Sequence, residues 1–283
     1  MTLRNMTTRS LTFGRTVEWT AIYGLLFLTS LAILYPLVVI ASSAFKPEIE
    51  IFAFPMTLFP DNSTTANFAD LRQNFPTYIR NSFSVTGTIV FIQLLTATTA
   101  GYAFAKLEWR GRETLFLTYI ATFMIPIHAI IIPQFVIVRG LGLFDSHTAL
   151  VLVSAFTAFG TFLVKQFFVT VPDSLLEAAR IDGASEFSIF SRLMLPLSKP
   201  VLATLIIFSF RFFWNDFFAP LIYIVTPSKK TLPLGLADFV TQYAVRYGPQ
   251  MAASLISIVP VMIVFLAAQK YFVKGIVTTG LKG

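Results

Sequence analysis

The sequence predicts an all-α integral membrane protein with six transmembrane helices and both termini in the cytoplasm, on three observations. Of its 283 residues 55% are hydrophobic and only 12% charged, where a typical soluble domain carries about 25% charged residues. Five charge-free windows are long enough to cross a bilayer, which takes about 20 residues: Trp19 to Phe45, Asn81 to Ala105, Thr114 to Val138, Ser146 to Val164 and Tyr247 to Gln269. A sixth, Pro200 to Thr226, is apolar but interrupted by Arg211 and Asp216. Six spans also put both termini on one side. Taking that side as internal leaves thirteen of the 21 Lys and Arg residues in internal segments, seven in external ones and Arg211 within a span, the bias that the positive-inside rule describes.

The same distribution explains the net charge of +7 as topology rather than nucleic-acid binding. There is no cysteine, so disulfide and thiolate chemistry are excluded and the redox compartment is left unread. The first apolar run is too long for a signal-peptide core, and no small-residue cleavage site follows it before Lys46, so it is expected to be a retained helix.

In order, the chain divides into a loosely ordered cytoplasmic lead (1–18), a transmembrane body (19–273) and a cytoplasmic tail (274–283). Pro47, Pro55, Pro60 and Pro76 punctuate the first external segment, 46–79, which reads as an ordered loop. The second span carries the small-residue run Thr96-Ala-Thr-Thr-Ala-Gly101-Tyr-Ala, and small residues let helices approach closely in lipid. The third span places His128 and Gln134 among apolar residues, beside Pro126 and Pro133 that weaken the helix there. Two readings of His128 stand: a hydrogen bond to a neighbouring helix, or a substrate contact. No second histidine or carboxylate lies at ligand spacing, so a metal site is not supported. Gly140-Leu-Gly-Leu-Phe-Asp145-Ser-His is a tight external turn, with Asp145 or Ser146 capping the next helix.

One polar segment stands out between apolar spans, Pro172 to Pro196. Ser174 precedes Glu177 by three residues, the capping-box spacing, so a short helix is expected from about Leu175 to Asp182. Gly183 allows the left-handed residue that ends it. Ser185 can cap a second short helix, and Pro196 closes that one. Leu175, Ala178, Ala179 and Asp182 share one face of the first helix at i, i+3, i+4 and i+7; two alanines there permit close approach of another protein's backbone, with Glu177 and Arg180 at the rim. The alternative is an amphipathic linker lying on lipid, with Glu177 as a cap only.

In the fifth span, charges placed in lipid cost about 2.5 to 3.5 kcal/mol each on insertion scales, so Arg211, Asn215 and Asp216 are expected to face protein, water or each other. Together with Trp214 they read either as an interhelical hydrogen-bond cluster or as the polar lining of a path.

Glu177-Ala178-Ala179, then Asp182-Gly183-Ala184, then Phe190 and Leu195-Pro196, resemble the EAA loop of permease subunits in binding-protein-dependent ABC importers. Gly140-Leu-Gly-Leu-Phe-Asp145, Trp214-Asn-Asp-Phe, Leu232-Pro-Leu-Gly-Leu and the tail Gly275 to Gly283 are similar to the second permease of carbohydrate importers of the maltose type. Together these motifs cover roughly residues 80 to 283; the first 80 fit in topology but carry no sharp motif.

The resemblance implies a type I importer permease in a bacterial inner membrane, paired with a second, different permease. Two cytoplasmic ATPase copies and an external binding protein would complete the importer. ATP and Mg would be held by the ATPases, with no cofactor and no catalysis on this chain. Glu177, Ala178, Ala179, Asp182, Gly183 and Pro196 would form the ATPase-coupling loop (172–197). A sugar path would be lined by His128, Gln134, Arg211, Trp214, Asn215 and Asp216, with Trp214 offering a face on which a sugar ring stacks. The external segment 227–246 would reach toward the binding protein, and Thr278, Thr279, Gly280 and Lys282 would insert at the ATPase interface. Two alternatives remain from the sequence: a permease of this family for another small solute, and an ion-coupled secondary transporter. The latter class usually shows internal repeats, and no repeat relates the two halves.

Overall fold

The structure, a computed structural model, describes residues 4–55, 57–240 and 246–280, and among these the side chains between 18 and 270. The named elements among the described residues are all helical: α1 (Arg4–Ala44), α2 (Phe75–Lys106), α3 (Arg112–Thr122), α4 (Ile127–Gly140), α5 (His147–Ser154), α6 (Ala158–Val169), α7 (Asp173–Ile181), α8 (Glu186–Leu197), α9 (Lys199–Trp214), α10 (Phe218–Tyr223), α11 (Leu232–Leu236) and α12 (Tyr247–Gly280). Short helical turns at Glu48–Ile51 and Ala66–Ala69 fall between α1 and α2.

Among the described residues, three helices are long and apolar enough to cross a membrane singly, Glu18–Ala44 within α1, α2, and Tyr247–Lys270 within α12. Three bent pairs raise the number of candidate spans to as many as six: α3 with α4 (96°), α5 with α6 (43°) and α8 with α9 (74°). Each break has a local cause. Pro126 stands just before α4, and a residue that precedes proline is driven out of helical geometry. Thr157 stops α5 from running into α6, since its hydroxyl accepts the Gly160 N–H at 3.0 Å as an N-cap. Pro200 sits in the first turn of α9, where its missing N–H costs nothing.

Two expectations are corrected. The lead was expected to be loosely ordered, but α1 begins at Arg4 and runs into the span without a break. Pro200 to Thr226 was expected to be one interrupted helix; α9 ends at Trp214, and α10 starts at Phe218 under a new cap. The carboxylate of Asp216 accepts the N–H groups of Phe218 (3.0 Å) and Ala219 (3.3 Å). Asn215 and Asp216 are therefore the break itself rather than polar residues inside a helix.

The chain divides into two compact units, one of residues 1–70 with 244–255 and one of 71–243 with 256–283. Within the first, the segment between α1 and α2 is ordered around Asn67, whose side-chain amide donates to the carbonyls of Ala44 (3.0 Å) and Lys46 (2.9 Å). Glu48 caps the start of α12 by accepting from Tyr247 N (2.7 Å) and Gly248 N (3.0 Å).

The second unit is built on α2. Its C-terminal half packs against α6 and α9 in a cluster of Ala97, Tyr102, Val164, Phe168, Leu176, Ile189, Met194 and Leu205. Its N-terminal half packs through Val85 and Ile89 against Val138, Leu150, Tyr223 and Leu234. The small-residue run does what was expected of it: a Cβ on Gly101 would lie 2.8 Å from Val164 Cγ1 and 3.2 Å from Lys165 N. Threonines in this run return their hydroxyls to the helix, as Thr98 does to Leu94 O at 2.7 Å, so no polar group is left for lipid to satisfy.

Overpacking a well-filled contact costs about 1 to 3 kcal/mol. Gly101→Ala should therefore lower the thermal midpoint of the purified protein, while Gly87→Ala on the same helix, where a Cβ meets nothing within 4 Å, should leave it unchanged or raised.

Candidate functional site

The polar segment 172–197 folds as two short helices at a corner. Helix α7 starts at Asp173, one residue after Pro172, whose extended backbone (φ −60°, ψ 134°) makes no side-chain cap. The expected capping box is thus corrected: Ser174 lies in the first turn, out of cap position, and among the described residues the Glu177 carboxylate makes no cap hydrogen bond, its charge acting on Arg180 instead. Gly183 ends the helix with φ +81°, and Gly183 N and Ala184 N donate to Arg180 O (3.0 Å) and Ala179 O (2.9 Å). Ser185 caps α8, its hydroxyl accepting Ser188 N at 3.3 Å. Helix α8 is π-helical over Ile189–Met194 and ends at Leu197, one residue past Pro196.

One side of this corner is anchored and the other is open. Leu176, Ile189 and Met194 are buried in the cluster around the C-terminal half of α2. Leu175, Glu177, Ala178, Ile181, Asp182 and Gly183 are exposed, with Ile181 at 86% and Phe187 at 76%. Ala179 of the expected contact face is partly covered, packed on the core.

Polar contacts hold α7 at both ends. Lys106, its side chain almost fully covered, bridges Asp173 at 2.6 Å and donates to Val171 O at 2.6 Å. The hydrogen bond and charge of Lys106 hold the Asp173 carboxyl below its ordinary value. At the other end Arg180 pairs with Glu186 at 2.7 Å, and Tyr102 donates its hydroxyl to the same carboxylate at 2.7 Å.

The six residues expected along a path do not form one cluster of mutual contacts. Trp214 is only 1% exposed. Its ring stacks on Phe210 at 5.4 Å, meets Phe83 edge-on at 4.7 Å, and donates its N–H to Ser257 O at 2.9 Å. In this conformation the chain itself covers both faces of the indole. Asn215 donates to Arg211 O at 2.7 Å, and both side chains are exposed. Arg211 and Asp216 do not pair. His128 packs on Phe218 with ring centroids 4.9 Å apart, and Gln134 accepts from the Tyr223 hydroxyl at 3.0 Å. At the tail, Lys282 and the side chains of Thr278 and Thr279 lie outside the described residues; the α12 backbone is described as far as Gly280.

Sequence reasoning missed the residues that fix the segment after α10. Asp145, at φ 55°, accepts Val225 N (2.9 Å) and Thr226 N (3.0 Å) on one carboxylate oxygen, and Thr226 Oγ1 (2.6 Å) and Lys229 Nζ (2.9 Å) on the other. Ser146, not Asp145, caps α5 by accepting Ala149 N at 3.2 Å. Asn81 donates to Ser228 O and Lys230 O, both at 2.9 Å, and Ser82 accepts Leu232 N at 2.7 Å. Gly235 is packed so closely on Tyr78 that a Cβ would lie 2.1 Å from its ring. Of these, the Asp145 turn and the Leu232-Pro-Leu-Gly235-Leu run carried a sequence signal; Asn81 and Ser82 carried none.

Residues 94–278 match the family model described as "Binding-protein-dependent transport system inner membrane component". The chain belongs to this family. It is 33% identical over 272 residues to an arabinooligosaccharides transport system permease protein of Halalkalibacterium halodurans, covering 94% of this chain and 97% of that protein. It is also 33% identical over 257 residues to an sn-glycerol-3-phosphate transport system permease protein of Pectobacterium atrosepticum, covering 87% of this chain and 92% of that protein. Among solved structures, a chain of a bacterial ABC transporter involved in the import of alginate superposes with a TM-score of 0.81 at 26% identity, over 92% of this chain and 98% of that one. Family membership makes the apolar helices those of a multi-pass membrane protein, and every residue of the α7–α8 corner lies inside the matched range.

Four donors hold the Asp145 carboxyl well below the ordinary carboxylate range, the Thr226 hydroxyl contributing most. A depressed folded value stabilises the fold above the unfolded pKa of about 3.9, and the contribution is lost as pH falls through the folded value. Hydrogen-exchange protection of the Val225 and Thr226 amides should therefore persist to below pH 4 in the native chain. Asp145→Asn should lower it at neutral pH, with the difference between the two shrinking in stronger acid.

Proposed function

We propose that this chain is the permease subunit of an ATP-driven importer of sugars or oligosaccharides, with six spans, the type I permease fold and both termini in the cytoplasm of a bacterial cell. The observation that carries the coupling part is the α7–α8 corner. Its buried side is fixed by Leu176 and Met194, and its open side offers Ala178, Ile181 and Phe187 with Glu177 and Asp182 beside them. A surface of this kind, small at the helix and apolar at the corner, suits a cleft on a cytoplasmic ATPase. The partners in this reading are two such ATPases carrying ATP and Mg, a second permease and an external binding protein. The chain itself does no chemistry.

Coupling is mechanical. A stiff two-turn helix that ends in a left-handed residue transmits a displacement as a rigid body, and the core beneath it carries the motion into α2, α6 and α9. Along the path, Arg211, Asn215 and His128 are exposed and able to meet a hydroxylated solute, while Trp214 supports this wall from behind. Sugar as cargo is favoured by the arabinooligosaccharides relative and by the alginate-importer neighbour. A glycerol phosphate relative at equal identity supports a second reading, a phosphorylated polyol.

The deciding experiment reconstitutes the assembled complex and measures its ATPase with binding protein loaded in turn with an arabino-oligosaccharide, an alginate oligosaccharide and sn-glycerol-3-phosphate. Stimulation by an oligosaccharide supports the first reading, stimulation by glycerol phosphate alone the second, and stimulation by none overturns both. Placing an L-residue in left-handed geometry costs about 1 to 2 kcal/mol, and more for a β-branched one. Gly183→Val should thus cut uptake several-fold with the complex still assembled, whereas Gly183→Asn, which tolerates that geometry, should retain most of it.

A further inference from the structure

Helix α2 carries a polar anchor at each end, and each anchor holds a different segment. At the inner end, Tyr102 and Lys106 bind α7 and α8 through Glu186 at 2.7 Å, Asp173 at 2.6 Å and Val171 O at 2.6 Å. At the outer end, Asn81 and Ser82 bind the backbone of 228–232 through three hydrogen bonds of 2.7 to 2.9 Å. Tyr78 adds a bond to Asp238 at 3.3 Å. Asn81 and Tyr102 are 21 residues apart in one unbroken helix, about 30 Å at 1.5 Å per residue, which is the thickness of a bilayer's hydrocarbon core.

The middle of the helix is pinned as well. Gln93, 4% exposed, donates to Ser154 O at 2.7 Å and accepts from Ser209 at 2.8 Å, so α2 holds the break between α5 and α6 to α9. The three bent pairs, all in this unit, turn by 43° to 96°; α2 carries no proline beyond its first turn.

We propose that α2 is the transmission rod of this subunit. A displacement of the α7–α8 corner is passed through Tyr102 and Lys106 to α2, and through Asn81 and Ser82 to the 225–239 segment across the membrane. Tyr102, Lys106 and Asn81 are positioning residues in this scheme, acting through the segments they hold. The inference rests on the importer reading for what moves the corner.

The test follows hydrogen exchange in the full complex with its ATPases, with and without ADP and vanadate to close the ATPase pair. In the wild type, closure should alter exchange both in α7 and at the Val225, Thr226 and Leu232 amides. Tyr102→Phe, which keeps the ring in the core, and Asn81→Ala should each reduce the distal response at least about fivefold, the lower end of usual site-to-site coupling. The α7 response should remain. Lys106→Ala should act likewise and Lys106→Arg should restore the response, a rescue that loss of packing alone would not show. A distal response that survives all three substitutions overturns the rod, as does a wild type whose α7 responds while its distal amides do not. A wild type in which α7 itself fails to respond overturns the importer reading and the rod with it. Should one variant fail to assemble, the others decide the same question.

Discussion

Every helix break in a membrane span releases backbone N–H and C=O groups that lipid cannot satisfy, and the placement of polar side chains in this chain follows from that constraint. Thr157 takes up the N–H of Gly160 where α6 begins, and Asp216 takes up those of Phe218 and Ala219 where α10 begins. Gln93 and Thr96 of α2 reach the carbonyls of Ser154 and Ala155 at the end of α5, at 2.7 and 3.4 Å. Trp214 donates to Ser257 O in α12, three residues before the in-helix Pro260. Residues that a sequence presents as polar intruders in apolar runs are thus, for the most part, the groups that permit the runs to bend.

The bends in turn set where the α7–α8 corner stands. It lies between α6 and α9, and its buried side chains are shared with the C-terminal half of α2. The corner is therefore continuous with one of the buried clusters of the second unit, while Ile181 and Phe187 remain exposed among the described residues. A part that is firmly rooted on one side and bare on the other is suited to receive force from a partner. The segment after α10 is held both by hydrogen bonds to its backbone from Asp145, Asn81 and Ser82 and by the packing of Leu234 and Gly235 on α2.

Much of the corner was legible. Gly183 and Ser185 act through local geometry that neighbouring residues dictate, so positive φ and N-cap were both readable from residue type. The capping box failed because Pro172 supplies the helix start one residue before Asp173, shifting Ser174 and Glu177 out of capping positions. Windows of apolar residues located the spans, but their length could not reveal a 96° bend, because hydropathy counts composition and bends depend on single residues such as Pro126. Trp214 was read either as part of an interhelical hydrogen-bond cluster or as a surface for a sugar; it bonds Ser257 O, and its ring is covered by Phe210 and Phe83, which reach it only after folding.

By itself the sequence determined that this chain is an all-helical membrane protein, where its apolar runs begin and end, and that residues 172–197 form a capped corner with a left-handed glycine, since each of these depends on composition or on contacts within a few residues. Only the tertiary structure decided which side of that corner is bare, that Asp216 is a cap and Trp214 a buried wedge, and that α2 holds one segment at each end. Those facts rest on pairs such as Tyr102 with Glu186 and Asn81 with Lys230, which lie 84 and 149 residues apart in the chain and meet only when the helices pack.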